Sequence, residues 1–109
     1  MMMDEETHAR VCDLFSALSN PTRLRITEIL IDQTMSVGDV ASTLNISLSG
    51  ASQHLSQLAR AGVLTSEMSG TTKTYRVRGP RIGRILGLIE EFCQVHSLAG
   101  SASGKATVK

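Results

Sequence analysis

The chain has 109 residues, of which 41% are hydrophobic, 3% aromatic and 19% charged, and its formal net charge is +1. That length suits a single domain with a modest aliphatic core. No apolar run approaches the ~18 residues of a membrane span, and the start MMMDEETHAR is acidic where a secretory signal would be basic and then apolar. The composition therefore predicts a cytoplasmic protein with no membrane partner.

The small net charge hides an uneven distribution of charged residues. Residues 60–84 hold six basic residues against Glu67 alone, a local charge of +5. Residues 1–39 hold seven acidic residues against three arginines, a local charge of −4. Because affinity for DNA grows with the number of phosphates neutralised, the local basic region matters more than the total charge. This region favours contact with nucleic acid.

Two helices are predicted at the start of the chain. Residues 4–18 carry one apolar stripe, formed by Val11, Leu14, Phe15 and Leu18. Asn20 is typical of a helix cap and Pro21 of a first helical residue. A second helix is therefore predicted from Pro21 to about Ile31.

A helix-turn-helix is predicted in the middle of the chain. Ser36 and Asp39 match the S-x-x-D form of a capping box and begin the first helix of the pair. Asn45 tolerates the left-handed backbone of a sharp turn, and Ser47 can cap the helix that follows. The second helix ends at Gly62, which is free to adopt a positive φ.

The second helix of this pair has two different faces. Ala51, Leu55 and Leu58 recur on one side and predict a buried face. The other side carries mainly uncharged hydrogen-bonding groups, which can meet base edges and phosphates without like-charge repulsion. We predict a recognition helix, and a Ser/Gln-rich solvated surface is the alternative. The polar positions are Ser49, Ser52, Gln53 and Ser56, flanked by Gln57 and Arg60.

Two short β-like runs follow, at residues 63–68 and 73–78. In the second run Tyr75 and Val77 are predicted to point inward. The residues that alternate with them, Thr74, Arg76 and Arg78, are predicted to point outward. The segment Ser69-Gly70-Thr71-Thr72 supplies the turn. A hairpin with Lys73 and Arg76 near its tip can contact the sugar-phosphate backbone or the minor groove. A charged edge strand that prevents aggregation is the alternative.

The last predicted helix follows Pro80 and has more apolar positions than one narrow stripe would need. They are Ile82, Ile85, Leu86, Leu88, Ile89, Phe92 and Val95. One domain can cover only one side of such a helix, so a second copy of the chain is the simplest cover for the other. We therefore predict a homodimer. The predicted domain covers residues 1–98. Residues 99–109, which are small and polar, are predicted to form a disordered tail.

Four segments of the chain together carry a resemblance to a known family. These are NPTRLRITEIL from residue 20, SVGDVASTLNIS, SGASQHLSQLARAGVL and the G-x-x-K-x-Y-R-V wing. In these segments the chain resembles the ArsR-type (ArsR/SmtB) family of bacterial winged-helix repressors. The resemblance covers about residues 10–98. It implies a mainly α winged helix-turn-helix, with about five helices and a two-stranded wing. It also implies a homodimer, joined by its first and last helices, that binds a palindromic operator in double-stranded DNA and is released when an inducer is sensed.

The resemblance also implies which residues contact DNA. These are Ser49, Ser52, Gln53 and His54 on the helix, with Lys73 and Arg76 in the wing. The family often has a polar residue where this chain has Leu48, so its base preference is expected to differ.

The two cysteines are the main indication of what could be sensed. Cys12 follows His8 by one helical turn, and Cys93 precedes His96 by three residues, so each pair shares a helix face. If the first and last helices meet at the dimer interface, the four side chains could hold a thiophilic metal ion. The two thiols alone could instead form a regulatory disulfide or polysulfide bridge. A small buried hydrophobe is the third interpretation of each cysteine.

The inducer sites of the family do not transfer whole to this chain. The Cys-x-Cys box of some members would fall on Ser36 and Gly38, and the sulfur-sensing branch matches only at Cys93. The interface zinc site lacks its Asp/His pair. Our first expectation is therefore that the chain senses an oxidant or sulfane sulfur through Cys12 and Cys93. The second is that it senses a thiophilic ion such as arsenite or zinc, and the third is that it has no inducer site.

The chain shows no motif of an enzyme. It lacks a G-x-S-x-G elbow and a C-x-x-C pair, and Glu90 and Glu91 are helix neighbours that point in different directions. We therefore predict a protein without catalytic activity. A winged helix that serves only as a protein-interaction module is the remaining alternative, because the fold alone does not determine function.

Overall fold

The computed structural model describes residues 1–95. The predicted tail and His96 lie outside these residues. The elements of the described part, in chain order, are α1 (Glu5–Leu18), α2 (Pro21–Leu30), β1 (Met35–Ser36), α3 (Val37–Leu44), α4 (Leu48–Arg60), β2 (Leu64–Ser69), β3 (Thr72–Val77) and α5 (Arg81–Val95).

Side-chain caps determine where the first three helices begin. The amide of Thr7 donates to Oδ1 of Asp4 at 2.7 Å, and this bond holds the pKa of Asp4 below its ordinary value. The amide of Arg23 donates to Oδ1 of Asn20 at 3.0 Å, with proline in the first turn of α2. The hydroxyl of Ser36 accepts from the amide of the third residue of α3 at 3.1 Å. The predicted starts of α2 and α3 agree with these caps.

The predicted two-stranded wing is confirmed as β2 and β3, and β1 adds a third strand, which gives an antiparallel sheet in the order β1-β3-β2. Met35 pairs with Tyr75, and Ser36 with Thr74. A two-residue strand is too short to show an alternating pattern, which is why the sequence did not indicate it. In the hairpin, Gly70 and Thr71 join β2 to β3.

The core lies between α2, α3, α4 and the sheet. Its largest fully buried side chains are Ile26, Leu30, Leu55, Leu58, Leu64, Val40, Val63 and Thr27. Ala51, Leu55 and Leu58 hold one side of α4 against this core, each with 0% exposure. The buried face predicted for α4 is therefore the observed one, and the opposite face is left in solvent.

Helix α5 is covered by its own subunit on one side only. Ile82 packs against the core, and a Cβ built on Gly83 would lie 3.6 Å from Cγ2 of Ile31. No residue of α5 is buried. Its outward side carries an exposed apolar stripe, made of Ile85, Leu88, Ile89, Phe92 and Val95. No helix of the described residues has the length and apolar character needed to cross a bilayer.

Candidate nucleic-acid interface

Hydrogen bonds in the turn between α3 and α4 hold the start of α4 in position. Asn45 has a φ of 55°, the left-handed conformation predicted for it, and the amide of Ile46 donates to the carbonyl of Ala41 at 3.0 Å. The hydroxyl of Ser47 then accepts from the amide of Gly50 at 2.9 Å. A Cβ on Gly50 would lie 2.9 Å from that oxygen, so glycine leaves the cap undisturbed.

One side of α4 presents only short polar side chains to solvent. Its members recur three and four residues apart, so they follow one line along the helix. All four are exposed, and we call them the polar face: Ser49, Ser52, Gln53 and Ser56. Because the opposite side is buried in the core, the polar face is the side of α4 that is left in solvent.

His54 differs from the polar face in its surroundings. It is half-buried, and its Nδ1 lies 3.5 Å from Nη1 of Arg23. The Nε of Arg23 also donates to the carbonyl of Ala17 at 2.7 Å. Arg23 thus links the end of α1 to the recognition helix, a positioning role that the sequence did not indicate. The role of His54 in DNA contact stays a prediction, and its observed contact is with Arg23.

Arg60 is exposed and lies at the far end of α4, about 16 Å along the axis from Ser49. There it lines a cleft with Arg10, Asp13 and Arg78. The structure therefore separates Arg60 from the N-terminal part of the polar face. The contact of Arg60 with DNA remains a prediction.

The wing carries the two predicted cations on its exposed surface. The ammonium of Lys73 lies 5.5 Å from the centroid of the Tyr75 ring, a cation–π distance. Nε of Arg76 lies 3.7 Å from Oε1 of Glu67 on the neighbouring strand. Both side chains of this ion pair are more than half exposed, so solvent weakens it and a phosphate can compete for Arg76.

Comparison with known proteins places the fold in a family. A family model described as a helix-turn-helix domain matches residues 18–67. The transcriptional activator HlyU of Vibrio cholerae is 31% identical over 93 residues, which are 84% of this chain and 86% of HlyU. The chain belongs to the ArsR-type family of winged helix-turn-helix transcriptional regulators.

Solved structures of other ArsR-type regulators and winged helices agree with this membership. Rv0081 of Mycobacterium tuberculosis has a TM-score of 0.75 at 30% identity, covering 86% of this chain and 96% of that one. The homodimeric winged helix-turn-helix DNA-binding domain of Mb0332 from Mycobacterium bovis has a TM-score of 0.77 at 26% identity, covering 87% and 90%. The predicted family and winged-helix fold class are confirmed. The relatives are named transcriptional regulators, which agrees with the prediction of no enzyme.

The cysteines of this ArsR-type regulator are both exposed. Sγ of Cys12 lies 3.8 Å from Nδ1 of His8, so the first predicted pair is in contact. Within residues 1–95 no three His, Cys, Asp or Glu side chains gather into a metal-binding group. His96 lies outside these residues, so the predicted four-residue metal site stays a prediction.

Proposed function

We propose that the chain is a homodimeric repressor that binds a palindromic operator through α4 and the wing. The observation that carries this proposal is the exposed polar face of α4, which is supported by a fixed cap on one end and a buried apolar side beneath. Uncharged donors and acceptors of this kind can hydrogen-bond base edges in the major groove. Lys73 and Arg76 in the adjacent wing supply phosphate contacts, which fix the position of the helix in the groove.

The dimer is proposed from the exposed apolar stripe of α5. Leu88 is 67% exposed and Val95 70%, and Phe15 on α1 is 55% exposed. An exposed apolar stripe such as that of α5 on a small protein marks an interaction site. A two-fold axis through α1 and α5 would place two copies of α4 in successive major grooves, which is why the operator is expected to be palindromic.

A random duplex library and a salt titration test the DNA-binding part of this proposal. We expect the protein to select a palindromic duplex and its affinity to fall steeply as salt rises, because bound phosphates release counterions. Arg76→Ala should weaken binding to all duplexes alike and reduce the salt slope by about 1, since one phosphate contact is lost. Fluorescence anisotropy at several salt concentrations measures both. An Arg76→Ala effect confined to one base pair would contradict the phosphate contact.

We further propose that Cys12 and Cys93 sense an oxidant or sulfane sulfur. Both thiols are exposed and lie on α1 and α5, the two helices of the proposed dimer interface. Oxidation by hydrogen peroxide would join two thiols in a disulfide, and the two protons and two electrons that the thiols lose would reduce the hydrogen peroxide to two waters. A new covalent bond at this interface would change the spacing of the two recognition helices and release the operator. One solved relative is described as reduced HlyU, a redox state that agrees with such chemistry.

Cys93→Ser is expected to leave operator affinity within about twofold and to abolish release by peroxide or polysulfide, because surface substitutions seldom disturb a fold. Gel shifts with and without oxidant measure this, and non-reducing electrophoresis shows whether a disulfide forms. Ser19→Ala is the control for a change of one side-chain atom at an exposed residue; it removes the hydroxyl that donates to the carbonyl of Ser16, and the variant should stay inducible. Normal release of Cys93→Ser by oxidant would eliminate the thiol sensor.

A thiophilic ion is the second candidate inducer, favoured by the contact between His8 and Cys12. Imidazole and thiolate are ligands that zinc and related soft ions bind. Arsenite or Zn²⁺ added in the absence of oxidant distinguishes the two candidates. Release by the ion that His8→Ala prevents would support the metal sensor, and release by oxidant alone would support the thiol sensor.

A further inference from the structure

The recognition helix begins with an exposed apolar side chain. Leu48 is the first residue of α4 and is 63% exposed, although leucine is otherwise among the residues that fill the core of this protein. A single exposed leucine on an ordinary surface needs no explanation. This one adjoins Ser49 at the start of the polar face, on the surface that the proposed function brings against DNA.

The backbone around Leu48 holds its side chain at this position. The Ser47 hydroxyl accepts from the amide of Gly50, and the Ser47 carbonyl accepts from the amide of Ala51, each at 2.9 Å. The inner side of the helix is already filled by Ala51 and Leu55, which have 0% exposure. Leu48 lies at the edge of that filled side, in the first turn of the helix, and is left 63% exposed to solvent.

The major groove offers one apolar feature to such a side chain, the C5-methyl group of thymine. The N-terminal residues of a recognition helix are those that contact base edges. We infer that Leu48 is a specificity-determining residue that recognises one thymine in each half of the operator through its methyl group. This inference rests on the proposed function. Over any other base edge the isobutyl group would cover hydrogen-bonding groups and leave them unsatisfied, so the contact selects thymine.

Replacing thymine by deoxyuridine tests the contact, because the change removes only the methyl group. In a duplex selected from a random library, each thymine is replaced in turn and the affinity measured by fluorescence anisotropy. At one thymine position in each half-site, the replacement should lower the affinity of the wild-type protein about fourfold, the effect expected for one buried methyl group. Leu48→Ala should show a similar loss on the thymine duplex and no further loss on the uracil duplex, since the two changes remove the same contact.

Two controls separate this contact from other effects. Ser49→Ala changes the neighbouring residue. Whatever affinity this variant has for the thymine duplex, its affinity should still fall when the thymine is replaced by uracil. Leu48→Ala should keep the wild-type salt slope and unfolding temperature, because alanine suits a helix start and the leucine contributes little to the core. Uracil sensitivity that survives Leu48→Ala overturns this inference alone. Failure of the wild-type protein to select any duplex overturns the proposed function and this inference with it.

Discussion

Leu88→Glu is expected to produce a monomer that binds the operator about a hundredfold more weakly or worse. Leu88 is 67% exposed at the centre of the exposed apolar stripe of α5, so the substitution should not disturb the fold of one subunit. In the proposed dimer the new carboxylate would be buried against apolar side chains without a partner, which costs several kcal/mol. A monomer holds one half-site only and loses the roughly 10² to 10⁴ gain of two linked contacts.

Analytical ultracentrifugation and anisotropy measure the two effects of this substitution separately. Gln94→Glu is the matched control, since it introduces the same carboxylate on the side of α5 away from the stripe. It should remain dimeric and keep its operator affinity. A Leu88→Glu protein that still sediments as a dimer would contradict the proposed interface, and a monomer with undiminished affinity would contradict the palindromic operator.

Much of the site could be predicted from the sequence because its signals are local. A cap such as Ser47 acts on an amide three residues on, and the alternation of buried and exposed residues follows the 3.6-residue period of a helix. Asn45 in the turn and the unburied apolar stripe of α5 are also properties of short segments. These features can be predicted without knowledge of which elements pack together.

The remaining features depend on contacts between distant segments. Strand β1 exists because Met35 pairs with Tyr75, forty residues further along the chain, and its two residues have no pattern of their own. The position of His54 follows from Arg23, which reaches it from α2 across 31 residues. Arg60 belongs to the basic region by sequence, yet the tertiary fold places it beside Arg10 on α1. The sequence shows that these side chains are polar but not which partner each one has.

Gln53→Glu is expected to reduce operator affinity by about 3 kcal/mol, roughly a hundredfold, since it sets a carboxylate against the phosphates and acceptor edges of the groove. Gln53 is exposed on the polar face, so the loss should appear in DNA binding and not in the free energy of unfolding. The amide that could make a bidentate contact with adenine becomes an acceptor alone.

Gln57→Glu provides a control with the same chemical change one turn further along α4. Gln57 is half-buried, lies outside the polar face and lines a cleft with Asp13, Arg23 and Arg60, where two cations offset the added carboxylate. This variant should therefore keep most of its operator affinity. Parallel anisotropy titrations at one salt concentration compare the two proteins. Equal losses from both variants would mean that overall charge, rather than position on the polar face, determines binding, and α4 would not then be the helix that contacts the bases.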